Sequence, residues 1–375
     1  MITTYLDNNA TTKVDPRVID AIMQELNSGY GNPSSIHSFG QEVRNRLTKA
    51  RRRIASHFGF KPTEVIFTSS ATEAVNIVMR GTTGEVITSA AEHACVHVTA
   101  IAEQEKGRSV TFLDPGAYGA VTAEQVRMAI TPQTGLIVLM AANNETGVKT
   151  DVEGIAAIAE QHGIPFFVDA VAWVGKESFV PPSGVTAFTI SGHKFHAPKG
   201  IGALFLRSSF KPKPLLIGGA QEYNKRAGTE NVTGIIAMAK AVELLEEELP
   251  EATERMRKLR DRFEAGVMAA LPGVLVNGEG ERIVNTSNLS FEAVEGESIL
   301  MNCDLAGLAV SHGSACSSGS LEPSRILMSM GLGKDRARSS IRFSLSRMTT
   351  EEDIKRAIEI VVQVVNELGS SNLSR

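Results

Sequence analysis

"PFFVDAVAWVGKESFVPPSGVTAFTISGHKFHAPKGIGALFLR" occupies residues 165–207 and holds three apolar runs, "PFFVDA", "AFTIS" and "GALFLR". Each run is too short for a typical globular helix, is rich in Phe, Val, Ile or Leu, and is bounded by Pro, Gly, Ser or charged residues. Such runs read as strands buried on both faces. The first ends on Asp169, and the second ends on Ser191, with His193 and Lys194 following. Polar residues at the carboxyl ends of buried strands are what an open α/β sheet uses to hold a ligand.

The same pattern extends upstream. "VIFT", "VITS", "SVTFL" and "LIVLMAA" read as four further strands, separated by stretches of helical periodicity. From about residue 15 to 205 the alternation predicts an α/β domain with a mainly parallel sheet. Asp15-Pro16 is a cap and first-turn proline for a helix reaching about Leu26, and Val43, Leu47, Ala50, Ile54 and Phe58 keep helical spacing. Between about Asn231 and Leu271 the pattern is long, charged and helical, with an interruption expected at Pro250. The division expected there gives a large domain over 15–250 and a smaller α+β domain built from 1–14 and 251–375. Strands near "NLSF", "LAVS" and "SIRFS", a helix near "ESILMNC" and a closing helix from about Glu351 belong to the latter.

With 375 residues, 42% of them hydrophobic, the chain is long enough for two cores. A net charge of -4 gives no electrostatic reason to bind nucleic acid or an anionic membrane. The basic stretch "RNRLTKARRR" fits the solvated face of a helix whose other face is apolar. The first residues lack a basic and apolar leader, and Leu136–Ala142, the longest apolar run, is too short to span a bilayer, so a cytoplasmic address is expected. Cys95, Cys303 and Cys316 are odd in number and widely spaced, which suits reduced thiols better than disulfides or a zinc site.

"EVIFTSSATEAVN" places a strand, a Ser/Thr turn and a helix start at Ala71 and Thr72. Free backbone N–H groups at such a start favour a phosphate, although an ordinary Ser/Thr cap satisfies the same pattern. Asp169 and Lys194 suit pyridoxal phosphate (PLP), whose aldehyde needs a lysine and whose ring nitrogen needs a carboxylate. A buried Asp-Lys ion pair is the competing explanation. His93 follows another strand, where an imidazole could stack on a flat cofactor or move protons. Asn144 in "NNETG" reads equally as a turn residue or as a donor to ligand.

Taken in order, "YLDNNATT", "YGNPSSIHSFG", "FTSSATEA", "EHACV", "NNETGV", "VDA", "SGHK", "PKGIGAL", "KRAGTEN", "VEGES", "GSACSSGSLEPS" and "SSIRFSLSR" give a chain that resembles the NifS/IscS-like cysteine desulfurases, PLP enzymes of fold type I. The resemblance covers nearly the whole chain. It implies that Lys194 binds the cofactor covalently, that Asp169 pairs with the ring nitrogen and that His93 stacks on the ring. It implies a phosphate site of Ala71, Thr72, Ser191, Gly192 and His193, with Thr229 reaching the partner subunit's site in a homodimer. Asn144 and Arg342 would orient the substrate, and Cys316 would be the nucleophile that takes sulfur from L-cysteine, leaving L-alanine. The loop Val310–Ser324, with Gly313 and Gly319 among small residues, is expected to be a mobile carrier arm whose far end is fixed by Glu322 and Pro323. An iron-sulfur scaffold or another sulfur-acceptor protein would collect the sulfur, with tRNA thiolation a second outlet.

Two segments depart from the family pattern. Ala172 stands where a glutamine usually donates to the cofactor's phenolic oxygen, and "GGAQEYN" replaces "GGGQERG". Other readings stay open: a transaminase or β-lyase in which Cys316 is only a loop residue, and a non-catalytic scaffold relative.

Overall fold

The structure is a computed structural model and describes residues 3–313 and 322–373. Cys316 and most of the loop around it lie outside the described residues. The chain begins with a short strand, β1 (Thr4–Tyr5), and two helices, α1 (Pro16–Ser28) and α2 (Ser38–His57). The alternating region follows: β2 (Val65–Thr68), α3 (Ala71–Gly81), β3 (Glu85–Ser89), α4 (Ala94–Glu105), β4 (Val110–Leu113), α5 (Ala123–Ala129), β5 (Thr134–Met140), α6 (Val152–His162), β6 (Phe166–Asp169), β7 (Ala187–Ser191) and β8 (Gly202–Leu206). These strands form one sheet in the order β2-β8-β7-β6-β5-β3-β4. Only β8 runs antiparallel to its neighbours, so the other six point their carboxyl ends the same way. The α/β reading of the sequence is therefore the observed fold.

Both faces of the sheet are buried. One face packs Phe188 and Phe205, stacked at 4.1 Å, against Phe58, Phe60 and the apolar side of α2. The other packs Val86, Val138, Phe167 and Leu204 against α3 and α4. Three residues of the basic stretch on α2 pair with acids of the same chain: Arg51 is buried against Glu222 and the Val65 carbonyl, Arg46 meets Glu25, and Arg53 meets Glu243 and Glu246.

Helix α7 (Val232–Ala270) departs from expectation, since it runs through Pro250 without a break. Proline removes one bond to residue i−4, yet Leu245 and Leu249 are anchored in the first core and Ala252 and Met256 pack on Val284. Packing on both sides carries the helix across the missing bond. Beyond it come β9 (Leu275–Val276), β10 (Thr286–Ser290), α8 (Gly296–Leu305), β11 (Leu308–Ala309), α9 (Arg325–Ser329), α10 (Lys334–Arg338), β12 (Ser340–Ser344) and α11 (Glu351–Leu373). A separate hydrophobic cluster joins Leu6 to residues between Leu259 and Val365, around the small sheet β12-β10-β9 and the parallel pair β1-β11. Cys303 is buried there as a packing residue.

Candidate active site

A cleft of about 230 Å³ opens at the carboxyl ends of the parallel strands. Its wall takes Ser70, Ala71 and Thr72 from the turn after β2, and His93 from the turn after β3. Asn144 follows β5, Asp169 ends β6, and Ser191, His193 and Lys194 close β7. Arg342 arrives from β12 of the other cluster. Of the residues expected from the sequence, Thr229 is exposed and lies outside this cleft, and Gly192 is buried beside it without lining it.

The turn after β2 brings the start of α3 to the cleft wall. Ser70 caps α3 by accepting the Glu73 N–H, and Glu73 is held by Arg226 and the Ser69 N–H. Gly202 on neighbouring β8 allows this turn to sit close, because a side chain there would meet the Ser70 carbonyl carbon at 2.9 Å and the Ile190 oxygen at 3.0 Å. The first-turn N–H groups of α3 then face the cleft together with the Thr72 side chain.

Asp169 is buried on the cleft floor, where one oxygen accepts the Val171 N–H at 3.0 Å. Burial raises its carboxyl to about 6, against the opposing pull of that N–H and of Lys194. The Lys194 ammonium donates to the carbonyls of Asn9 and, at 2.9 Å, Ala10. Asn9 and Ala10 belong to the "NNATT" segment, which places the N-terminal residues directly against the lysine. A second lysine, Lys176, is fully buried in the same wall and donates to the Lys194 carbonyl. Burial first, then the charges of Lys194 and Arg347, lower it to about 7.

His93 and His193 are both held neutral, each near 4, by burial and by the charge of Lys194 among others. His193 Nδ1 lies 3.2 Å from the Thr11 hydroxyl. The "NNETG" turn divides its labour: Asn143 organises the loop by accepting the Glu145 and Thr146 N–H groups, which leaves Asn144 for the cleft. The Asn144 side-chain oxygen is buried with no partner, and Arg342 Nε is likewise unpaired. Arg342 donates one nitrogen to the Asn144 carbonyl at 3.0 Å and another to Asp7 at 2.7 Å.

Sequence reasoning did not single out Cys95, Lys176 or Asn9 for the site. Asn9 and Cys95 lie inside the quoted motifs "YLDNNATT" and "EHACV" without a role assigned to them, and Lys176 is marked by no local pattern. Trp173 lies in the turn after β6 and donates its indole N–H to the Ser178 carbonyl at 3.1 Å. Nothing in that position replaces the donor missing at Ala172, which lines the cleft. The segment "GAQEYN" carries left-handed backbone at Glu222, Tyr223 and Asn224 (φ 46°, 57° and 61°). At the exit of the cysteine loop, helix α9 is capped by Ser324 rather than started by Glu322 and Pro323.

The residues present fit PLP. A buried acid lies on the floor, a lysine follows the adjacent strand, a capped helix start stands beside the cleft, and Asn144 in the wall keeps a buried polar atom without a partner. This fold and this arrangement define a fold type I enzyme of the PLP-dependent class. The aminotransferase class-V family matches residues 4–357. A cysteine desulfurase of Trichormus azollae is 43% identical over 372 residues, spanning 97% of this chain and 93% of its own. Among solved structures, a NifS-like protein superposes with a TM-score of 0.91 at 33% identity, covering 98% of this chain and 100% of its own. One described as SspA in complex with cysteine gives 0.82 at 31% identity, covering 93% and 100%. The chain belongs to the cysteine desulfurases of the class-V aminotransferase family.

Proposed function

We propose that this protein is a PLP-dependent cysteine desulfurase that converts L-cysteine to L-alanine and collects the sulfur on Cys316. The observation that carries the reading is the placing of Lys194 and Asp169 at the ends of adjacent strands in one cleft, in a chain of this family. Lys194 would hold the cofactor aldehyde, Asp169 would pair with its ring nitrogen, and Ser70, Ala71, Thr72, Ser191 and His193 would hold its phosphate. When bound, PLP supplies an electron sink for the negative charge left at the substrate Cα.

The chain's own residues do the rest. Arg342 lines the cleft and would take the substrate carboxylate, since a planar guanidinium suits two oxygens. The Lys194 amine, once free, removes the proton from Cα. The Cys316 thiolate attacks the substrate sulfur: an S–S bond forms, the Cβ–S bond breaks, and Cβ gains a proton as alanine forms. The persulfide then passes to an acceptor, for which an iron-sulfur scaffold is our first candidate, with another sulfur-acceptor protein or tRNA thiolation as further outlets.

The division into a large domain over 15–250 and a small domain of 1–14 and 251–375 is part of this proposal, and the two hydrophobic clusters support it. So is a homodimer, supported by Ile217 (91% exposed), Leu216 and Tyr223 clustering in sequence near the exposed Thr229. Among the described residues no helix is long and apolar enough to cross a membrane, and we assign a cytoplasmic location.

Incubation of the PLP-loaded protein with L-cysteine and a reductant tests the reading. Alanine and sulfide are expected in equal amounts, and Cys316→Ser is expected to abolish both. Pyruvate in place of alanine, or full turnover by Cys316→Ser, would instead indicate a lyase or transaminase.

A further inference from the structure

His93 occupies the cap position of α4, and its Nδ1 accepts the backbone N–H of Cys95 at 3.2 Å. A backbone N–H can only donate, so Nδ1 must offer its lone pair. In a neutral ring the single proton then sits on Nε2. The Cys95 sulfur lies 3.0 Å from the same Nδ1, and both residues line the cleft. Because Nδ1 bears no hydrogen, the thiol is the donor in that contact.

We propose that His93 serves the site as a neutral Nε2–H hydrogen-bond donor rather than as a proton acceptor, and that Cys95 is the positioning residue that locks this tautomer. The proposal rests on the cleft being the cofactor site. The surroundings act in the same direction. Burial, then Lys194, Arg325 and Arg342, oppose a positive charge on the ring and hold it near 4. The start of α4 adds its own dipole against a cation, a device known from other enzymes that keep a histidine neutral at a helix N-terminus. The acids nearby, Asp169 and Glu92, face Cys95, where with burial they keep the thiol well above its ordinary value and so protonated. Glu92 is itself buried and pushed well above the usual carboxylate range, which removes a negative charge that could have favoured imidazolium.

The chemical consequence is a restriction. A ring with Nδ1 occupied and Nε2 already protonated cannot receive the Cα proton, so proton removal falls to Lys194 while His93 offers a polar face and one donor.

The test uses the PLP-loaded protein labelled with ¹⁵N at histidine, the His93 signals being assigned by their loss in His93→Asn. The expected result is a pyridine-type Nδ1 and a pyrrole-type Nε2, unchanged between about pH 5 and 8. An imidazolium signature in that window, or a proton on Nδ1, would overturn the proposal. In Cys95→Ala one of the two donors to Nδ1 is gone, so its resonance should move toward the unbonded pyridine position and kcat/KM should fall roughly fivefold. Cys95→Ser should restore both. No movement in Cys95→Ala would remove Cys95 from the role. The wild-type series decides the tautomer even if a variant fails to fold, and it needs no turnover. A loaded protein inactive on cysteine would sink the desulfurase reading while leaving this one standing.

Discussion

Asp169 sits in a position that folding alone disfavours. Its carboxyl is raised to about 6 because burial outweighs the Val171 N–H and the Lys194 charge. Between about pH 4 and 6 the folded state therefore holds a proton that the unfolded chain has released, and stability of the cofactor-free protein falls as pH rises through that window. A shift of about two units corresponds to about 3 kcal/mol. Cofactor-free Asp169→Asn is accordingly expected to exceed the wild type by about that much at pH 7 in urea denaturation, with the gap closing below about pH 4. The lowered histidines, His93, His193 and His196, give the opposite slope, but both proteins share them and the difference isolates Asp169. The same variant should bind PLP more weakly, since it loses the charge facing the ring nitrogen. Ala172 makes a second point at this scale. It leaves an open place on the cleft wall that Trp173, bonded to Ser178, does not fill. Ala172→Gln should shift the visible band of the bound cofactor and slow its loss on dialysis; an unchanged band and an unchanged rate would mean the missing donor has no successor to replace.

At the level of elements, the clearest test is the cap of α3. Ser70→Ala removes the acceptor for the Glu73 N–H and should lower stability by about 1 kcal/mol, and it should also weaken retention of the cofactor phosphate. Ser70→Gly should cost less stability, because glycine is tolerated at caps, while showing the same phosphate defect. Helix α7 argues the other way: since it runs straight through Pro250, Pro250→Ala restores one backbone donor and should raise the unfolding free energy by roughly 1 to 3 kcal/mol, read from urea denaturation. These two helices also mark what was readable from residues alone. The strands of the large sheet were legible because each is an apolar run closed by turn residues, and Asp169, Ser191 and Lys194 were legible because they end such runs. The continuity of α7 was not, because the penalty of a proline is local and the packing of Leu249, Ala252 and Met256 that offsets it is not. β1 and β9 have two residues each, too few for any period to register. Lys176 and Asn9 enter the site through contacts between segments far apart in the chain, which no spacing encodes, whereas Cys95 lies two residues from His93 in the same turn.

For the molecule as a whole, the decisive fact is that the cleft is completed from both hydrophobic clusters. Arg342 lies on β12, within the sheet of the second cluster, and donates to Asp7 of that same cluster and, across to the first, to the Asn144 carbonyl in the loop after β5. Two further links tie the same parts together: Lys149 with Glu281, and Arg347 with Glu248 and Asp15. The guanidinium is thus held in place before substrate arrives, with two nitrogens engaged and Nε buried without a partner. Asp7 competes for that charge. Removing the guanidinium strips a charge-assisted contact worth roughly 1.5 to 3 kcal/mol, so Arg342→Ala should raise the KM for cysteine by roughly tenfold to a hundredfold or more. The visible band of the bound cofactor should not change, because the groups assigned to PLP lie on the other cluster. Arg342→Lys should not rescue it, since a single ammonium cannot span Asn144, Asp7 and a carboxylate at once. Asp7→Asn should do the reverse and lower KM by freeing the second nitrogen for substrate. If Arg342→Ala instead left KM alone and bleached the cofactor band, the arginine would belong to the cofactor site, and recognition of the amino acid would have to be sought within the large sheet.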